Sequence, residues 1–188
     1  MQTPHTWLWQ QPDWPHFRWN EARLASLLAR ARLAQGKVLG AARLLDAHLT
    51  LEAVAAILVE DGLTTSAIEG EPLDLDAVRS SVARRLGLPS AGLPPSPRAV
   101  DGLIDVLLDA TRDHAMPLTR QRLSGWQAAL FPTGYSGLHA IRVGELRGDE
   151  PMQVVSGAVG KEKMHFVAPP RAGLEAEVDR FLAWFNAP

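Results

Sequence analysis

Apolar residues recur at three- and four-residue spacing along several stretches of this chain, and most of these stretches are bounded by residues that start or stop helices. Residues 20–46 place Leu24, Leu27, Leu28, Ala31 and Leu33 behind Asn20, a candidate cap, with Gly36 and Gly40 as possible interruptions. Residues 49–68 carry Leu51, Val54, Ala55, Leu58 and Leu63; Thr50 is the candidate cap, and Gly62 weakens the run by about 1 kcal/mol against Ala. A third helix is predicted over 74–86, with Leu75, Val78, Val82 and Leu86 as its stripe. Asp74 stands at its start, and Arg84 and Arg85 form its last turn, read as solvated. Further helices are predicted over 98–114 (Val100, Leu103, Ile104, Leu107, Leu108) and over 119–130, beginning at Thr119. A closing helix over 173–186 puts Leu174, Val178, Phe181, Leu182 and Phe185 on one broad face beside Trp184.

Between the last two helices the periodicity changes. Glycines occur every few residues, and the pieces Met152–Val155 and Lys163–Val167 alternate as strands do, joined by Ser156–Glu162. The expectation is one β-hairpin, which is marginal in water unless it lies on a body. Residues 1–20 interleave Trp7, Trp9, Trp14, Trp19 and Phe17 with Pro4, Pro12 and Pro15. That segment is too broken for a helix and too aromatic for a free tail, so an ordered arm with tryptophans as packing anchors is expected. The run 87–97, rich in Pro and Gly, is a candidate boundary between a front part, 1–90, and a rear part, 91–188.

Composition narrows the classes. With 188 residues, 46% of them hydrophobic and 21% charged, the chain can bury one sizeable core. A net charge of −2 provides no global basic field for nucleic acid or an anionic membrane. No cysteine is present, which removes thiol chemistry and fits a reducing cytoplasm. The N-terminal stretch lacks the form of a signal peptide, no apolar run is long enough to span a bilayer, and a soluble cytoplasmic protein is expected. There is no GxSxG, no HExxH and no metal-spaced histidine cluster to suggest a hydrolase.

One helix end stands out. In Thr65-Ser66-Ala67-Ile68-Glu69-Gly70, Gly70 suits the left-handed residue that closes a helix and Pro72 lies just beyond. Glu69 thus falls in the last turn, where partial negative charge on the free carbonyls disfavours a carboxylate by about 0.3–1 kcal/mol relative to a cation. Thr65 lies on the same face. A solvated Glu is the plain alternative.

The succession TSAIEG, SSVARRLG, LFPTGYSGL, VGELR, PMQVVSGAVGKEKMHFVAPP and FLAWFN, behind the aromatic WLWQQPDWPHFRW, resembles Fic-family AMP transferases with a tryptophan-rich N-terminal domain. The hexapeptide fits that family's inhibitory pattern (S/T)xxxE(G/N). The resemblance implies a mainly α, Fic-like helical fold with one β-hairpin flap. It implies an activity that moves AMP from ATP, with Mg²⁺, onto a Ser, Thr or Tyr hydroxyl of a target protein. It casts Thr65, Ser66, Glu69 and Gly70 as an inhibitory switch in which Glu69 pairs with the last Arg of a motif HPFxDGNGRxxR and spoils the alignment of ATP. It casts Val155, Gly157, Val159, Gly160, Lys161 and Lys163 as the flap that holds the target by strand addition.

The motif itself is missing. None of His5, His16, His48, His114, His139 and His165 precedes an acidic-Gly-Asn-Gly-Arg run, and His165-Phe166 continues as Val-Ala-Pro-Pro. The catalytic core is therefore expected to be incomplete. No catalytic or metal-binding residue is expected in this chain, and neither ATP nor Mg²⁺ is expected to bind tightly to it alone. Either the chain is a fragment, with the motif following Pro188, or it is a truncated product that keeps the inhibitory and docking parts. An antitoxin-like subunit supplying Glu69 in trans and a helical interaction domain are the alternatives. The expected partners are a target protein with a hydroxyl side chain, and a second copy or the C-terminal Fic segment, with no membrane and little scope for nucleic acid. Arg147 is either a buried ion-pair partner or a residue facing nucleotide.

Overall fold

Side-chain caps set where the helices begin. Asn20 Oδ1 accepts from the Arg23 N–H at 3.0 Å and opens α1, Glu21–Ala42, which runs through Gly36 and Gly40 without interruption. Asp46 Oδ1 accepts from Leu49 N–H at 2.8 Å and opens α2, Ala47–Ile68. Thr50 is therefore not the cap; its hydroxyl donates back to the Asp46 carbonyl at 2.7 Å from inside the first turn. Asp74 caps α3, Leu75–Leu86, through Ala77 N–H. Pro97 precedes α4, Arg98–Arg112, and Thr119 caps α5, Arg120–Leu130, as expected. The Pro/Gly-rich connection joins α3 to α4.

Two short antiparallel pairs follow. Strands β1, Tyr135–Ser136, and β2, His139–Ala140, form a tight hairpin that the sequence pattern did not suggest. Strands β3, Gln153–Ser156, and β4, Lys163–Val167, form the expected one, with a bulge between Val154 and Val155. Helix α6, Leu174–Phe185, closes the chain. The computed structural model describes residues 7–158 and 160–187. Among these it is mainly α, with six α-helices and two two-stranded antiparallel sheets. No helix among the described residues is long and apolar enough to cross a membrane.

The elements gather into two compact units. One holds Leu39–Leu146 and the described residues from Leu182. Its core is the cluster Leu58, Val78, Val82, Leu86, Val100 and Ile104, contributed by α2, α3 and α4. The predicted stripes supply all six. Gly62 does not break α2; it lets the helix approach Ile104, whose Cδ1 would lie 3.4 Å from an added Cβ. Gly102 does the same where α4 meets α5, with the Ala129 carbonyl oxygen only 1.9 Å from where a Cβ would stand. Asn186 fixes the end of α6 within this unit, its amide donating to and accepting from the backbone of Leu118 at 2.8 Å each.

The other unit holds the described residues up to Val38 and Arg147–Phe181. Here the aromatic arm lies on the β3–β4 hairpin. Trp9 Nε1 donates to the Val167 carbonyl at 2.7 Å, and Trp7 meets Phe166 edge-on at 5.8 Å between ring centres. Trp7, Trp9 and Trp14 are half-buried, as packing anchors should be, but Trp19 is exposed and anchors nothing.

Candidate functional site

The end of α2 is built as the sequence suggests and more completely. Glu69 is the C-cap residue, with φ −79° and ψ 1°, and Gly70 follows at φ +80°. The Glu71 N–H reaches back to the Ser66 carbonyl at 2.9 Å, and Gly70 N–H to the Ala67 carbonyl at 3.1 Å. These are the two bonds of a Schellman closure, which needs a left-handed residue where Gly70 stands. Thr65 and Glu69 are exposed on this turn and Ser66 is half-buried. The closure fixes the backbone around Glu69 while its carboxylate has no hydrogen bond or ion pair among the described residues. An exposed carboxylate at the negative end of a helix dipole is disfavoured there, and a cation beside it would offset that cost.

Of the residues expected to form a flap, those that are described lie on the β3–β4 hairpin and its loop. Val155 faces Met164 in register, and Lys163 faces Ser156. Gly157, Gly160 and Lys161 shape the connecting loop, and Val159 lies outside the described residues. Gly157 sits at φ +109° with the Lys161 carbonyl oxygen 2.8 Å from an added Cβ, so only glycine fits there. Glu162 accepts from the Gly160 N–H at 2.8 Å, and that bond holds its carboxyl below the usual carboxylate range. Ser156 Oγ and His165 Nε2 pair across the strands at 2.6 Å. The Glu69 turn and the β3–β4 hairpin belong to different compact units.

Arg147 is not the buried ion-pair partner that one reading made it. Its guanidinium donates to backbone carbonyls, those of Pro169 and, at 3.4 Å, Glu150, and so ties the hairpin's return strand to the segment before it. No carboxylate pairs with it among the described residues.

Arg85 is a second correction: it is not solvated but the centre of a polar lock between α3 and α4, whereas Arg84 stays exposed, as expected, while bonding into the same lock. Arg85, 19% exposed, donates to both oxygens of Asp105 and to Asp101 Oδ1 at 3.1 Å. Arg84 reaches Asp101 at 2.8 Å, and fully buried Ser81 donates to it at 2.7 Å, with Ser96 completing the set. Partial burial works against ionising Asp101, but the Ser96 and Ser81 hydroxyls and the charges of Arg85 and Arg84 outweigh it and lower its pKa. The hydrogen bond to Asp105 leads the effects that raise the pKa of Arg85. A further carboxylate, Asp109, accepts from Arg122 Nε at 2.7 Å and Trp126 Nε1 at 2.5 Å, which keeps it ionised to lower pH. The signal for the first lock was present in the sequence: Ser81 falls between Val78 and Val82, where a small polar residue on the inner side needs a partner.

Residues 7–88 match DUF4172, a domain of unknown function. No curated protein matches the chain. The matched span runs from the aromatic arm through α3, so it includes the Glu69 turn and leaves the β3–β4 hairpin outside. Its description assigns no activity. Among the described residues no group of three or more His, Asp or Glu side chains is placed to hold a metal ion.

Proposed function

We propose that this chain is the self-inhibitory and target-docking part of a Fic-type protein adenylyltransferase. The observation that carries the reading is the mounting of Glu69. Its backbone is locked by the Gly70 closure, its carboxylate is exposed, and it has no partner among the described residues. In this reading the partner is an arginine of the catalytic motif, supplied by sequence outside this chain. While Glu69 holds that arginine, ATP binds with its α-phosphate out of line with the acceptor hydroxyl. Misplacement of reacting groups by an ångström removes on the order of a hundredfold in rate. The β3–β4 hairpin, braced by Trp7, Trp9 and Arg147, presents an edge on which an extended target segment adds as a strand. These contacts set where the target's hydroxyl comes to rest.

The test uses a protein that carries both Glu69 and the catalytic motif. Glu69→Gly should raise the incorporation of α-labelled AMP into the protein itself or its target by at least tenfold. No increase in a folded Glu69→Gly protein contradicts the switch. Increase only when the 188-residue chain is withdrawn from a separate catalytic chain assigns Glu69 to inhibition in trans instead.

A further inference from the structure

A two-stranded hairpin has two outer edges, and the chain's own aromatic arm has taken one of them. The Ala168 N–H donates to the Met152 carbonyl at 2.9 Å, so these two residues form a hydrogen-bonded pair at the base of the β3–β4 ladder. In an antiparallel ladder such pairs alternate with pairs whose N–H and C=O groups turn away from the partner strand. The next pair is Gln153 with Val167, which therefore turns its main-chain groups outward, Val167 from β4 and Gln153 from β3. The outward carbonyl of Val167 is the one that Trp9 Nε1 reaches at 2.7 Å, as this alternation requires. Trp9 thus stands where a strand added beside β4 would run, and Trp7 holds the arm there through its edge-on contact with Phe166. Arm and hairpin belong to the same compact unit, so the closure is internal to it.

We infer that Trp9 closes the outer edge of β4, and that a target segment adding to the hairpin is confined to the outer edge of β3, where it pairs with the main-chain N–H and C=O of Gln153. The inference rests on the strand addition proposed above: a strand that joins this hairpin has two edges to choose from, and one is occupied. Its ligand is an extended, hydroxyl-bearing peptide segment. Val154 and Val155 follow Gln153 along β3 and project to opposite faces of the sheet, so β-branched residues of that segment find apolar neighbours on either face. The hydroxyl to be modified then lies on the β3 side of the hairpin. Trp9 acts as a specificity-determining residue that never touches it, by removing the competing edge.

The experiment follows amide hydrogen exchange by NMR in the 188-residue chain, with and without the soluble strand-forming peptide acetyl-Lys-Val-Thr-Val-Lys-amide. The peptide should slow exchange at Gln153 by about tenfold and leave Val167 unchanged. With Trp7→Ala and Trp9→Ala combined, the arm no longer closes β4, and the peptide should slow exchange at Val167 as well. Gln153→Pro removes the outward N–H while sparing the ladder, since proline is tolerated on a sheet edge. It should bind a fluorescein-tagged copy of the peptide severalfold more weakly, from one lost hydrogen bond. Val167→Pro, which keeps the carbonyl used by Trp9, should bind as the parent does. Protection at Val167 in the unaltered chain overturns the inference and leaves strand addition standing. So does a double variant protected at Gln153 and not at Val167, or an equal loss of affinity in the two proline variants. Protection at neither residue contradicts strand addition itself, and the inference falls with it. Protection of Gln153 that is present without peptide and fades on dilution means that a second copy holds the edge, and overturns the inference too.

Discussion

Replacing Gly102 by alanine should destabilise the unit built on α2 to α5, against the usual preference of helices for alanine. Gly→Ala inside a helix gains about 1 kcal/mol from propensity. At Gly102 the new Cβ would stand 1.9 Å from the Ala129 carbonyl oxygen and 2.6 Å from its carbon. These are backbone atoms of α5, so relief requires the helices to separate by about 1.5 Å toward ordinary contact distance. Separation is resisted by Asp109, which is bonded to Arg122 and Trp126 of α5. Overpacking costs about 1–3 kcal/mol and sometimes more, and a clash with backbone atoms falls at the upper end, about 2–3 kcal/mol, which leaves a net loss of about 1–2 kcal/mol after the propensity gain. For a chain of this size the midpoint of thermal unfolding should fall by about 2–8 °C. The control is Gly36→Ala on α1, where nothing lies within 4 Å of the added atom. It should raise stability by about 0.5–1 kcal/mol. Scanning calorimetry or circular dichroism of the three proteins decides the matter. A Gly102→Ala protein as stable as the parent, or more so, refutes the close approach of α4 and α5.

Other expectations follow from single contacts. Asp101 has a folded pKa below its ordinary 3.8, so its contribution to stability is complete above that pH and is lost as the pH falls through the lower folded value. Urea midpoints measured from pH 6 downward should drop more steeply below about pH 4 in the parent than in Asp101→Asn, which should be weaker at neutral pH; equal slopes refute the role assigned to Asp101. Trp9→Phe removes the bond to the Val167 carbonyl and should cost about 0.5–1.5 kcal/mol in the arm-and-hairpin unit, visible as faster amide exchange in β4. Unchanged exchange there counts against the bracing of the hairpin. In a protein with the catalytic motif, Gly157→Val should distort the loop, and cut target modification more than ATP affinity; equal loss of both counts against docking.

Much of the helical architecture was legible because it rests on local rules. Asn20, Asp74 and Thr119 cap helices where periodicity says helices begin, and the predicted stripes furnish the whole of the buried cluster. Asp46 displaced Thr50 as a cap because its carboxylate reaches the free Leu49 N–H from outside the helix, about one turn before Thr50. Gly62 misled because propensity counts against glycine while close packing on Ile104 requires a small residue, and tertiary contact won. Arg85 misled in the same way. A basic last turn suits the helix dipole in isolation, but whether it is solvated depends on Asp101 and Asp105, which are distant in sequence. The Glu69 turn was the most legible part of the site, since Gly70 and Pro72 mark it without help from the rest of the chain. The brace of the hairpin by Trp9 was not, because it joins residues 158 positions apart.

The central claim is that the charge of Glu69 restrains the catalytic arginine, and charge can be separated from bulk. The measurement is the initial rate of AMP incorporation for Glu69→Gln beside Glu69→Gly in a protein that includes the catalytic motif. Gln keeps the size of the side chain and its place on the locked turn while removing the ion pair. The account predicts that Gln releases at least tenfold, approaching Gly, with ATP affinity changed far less. A Gln protein as restrained as the parent, with Gly active, contradicts it and makes Glu69 a steric plug.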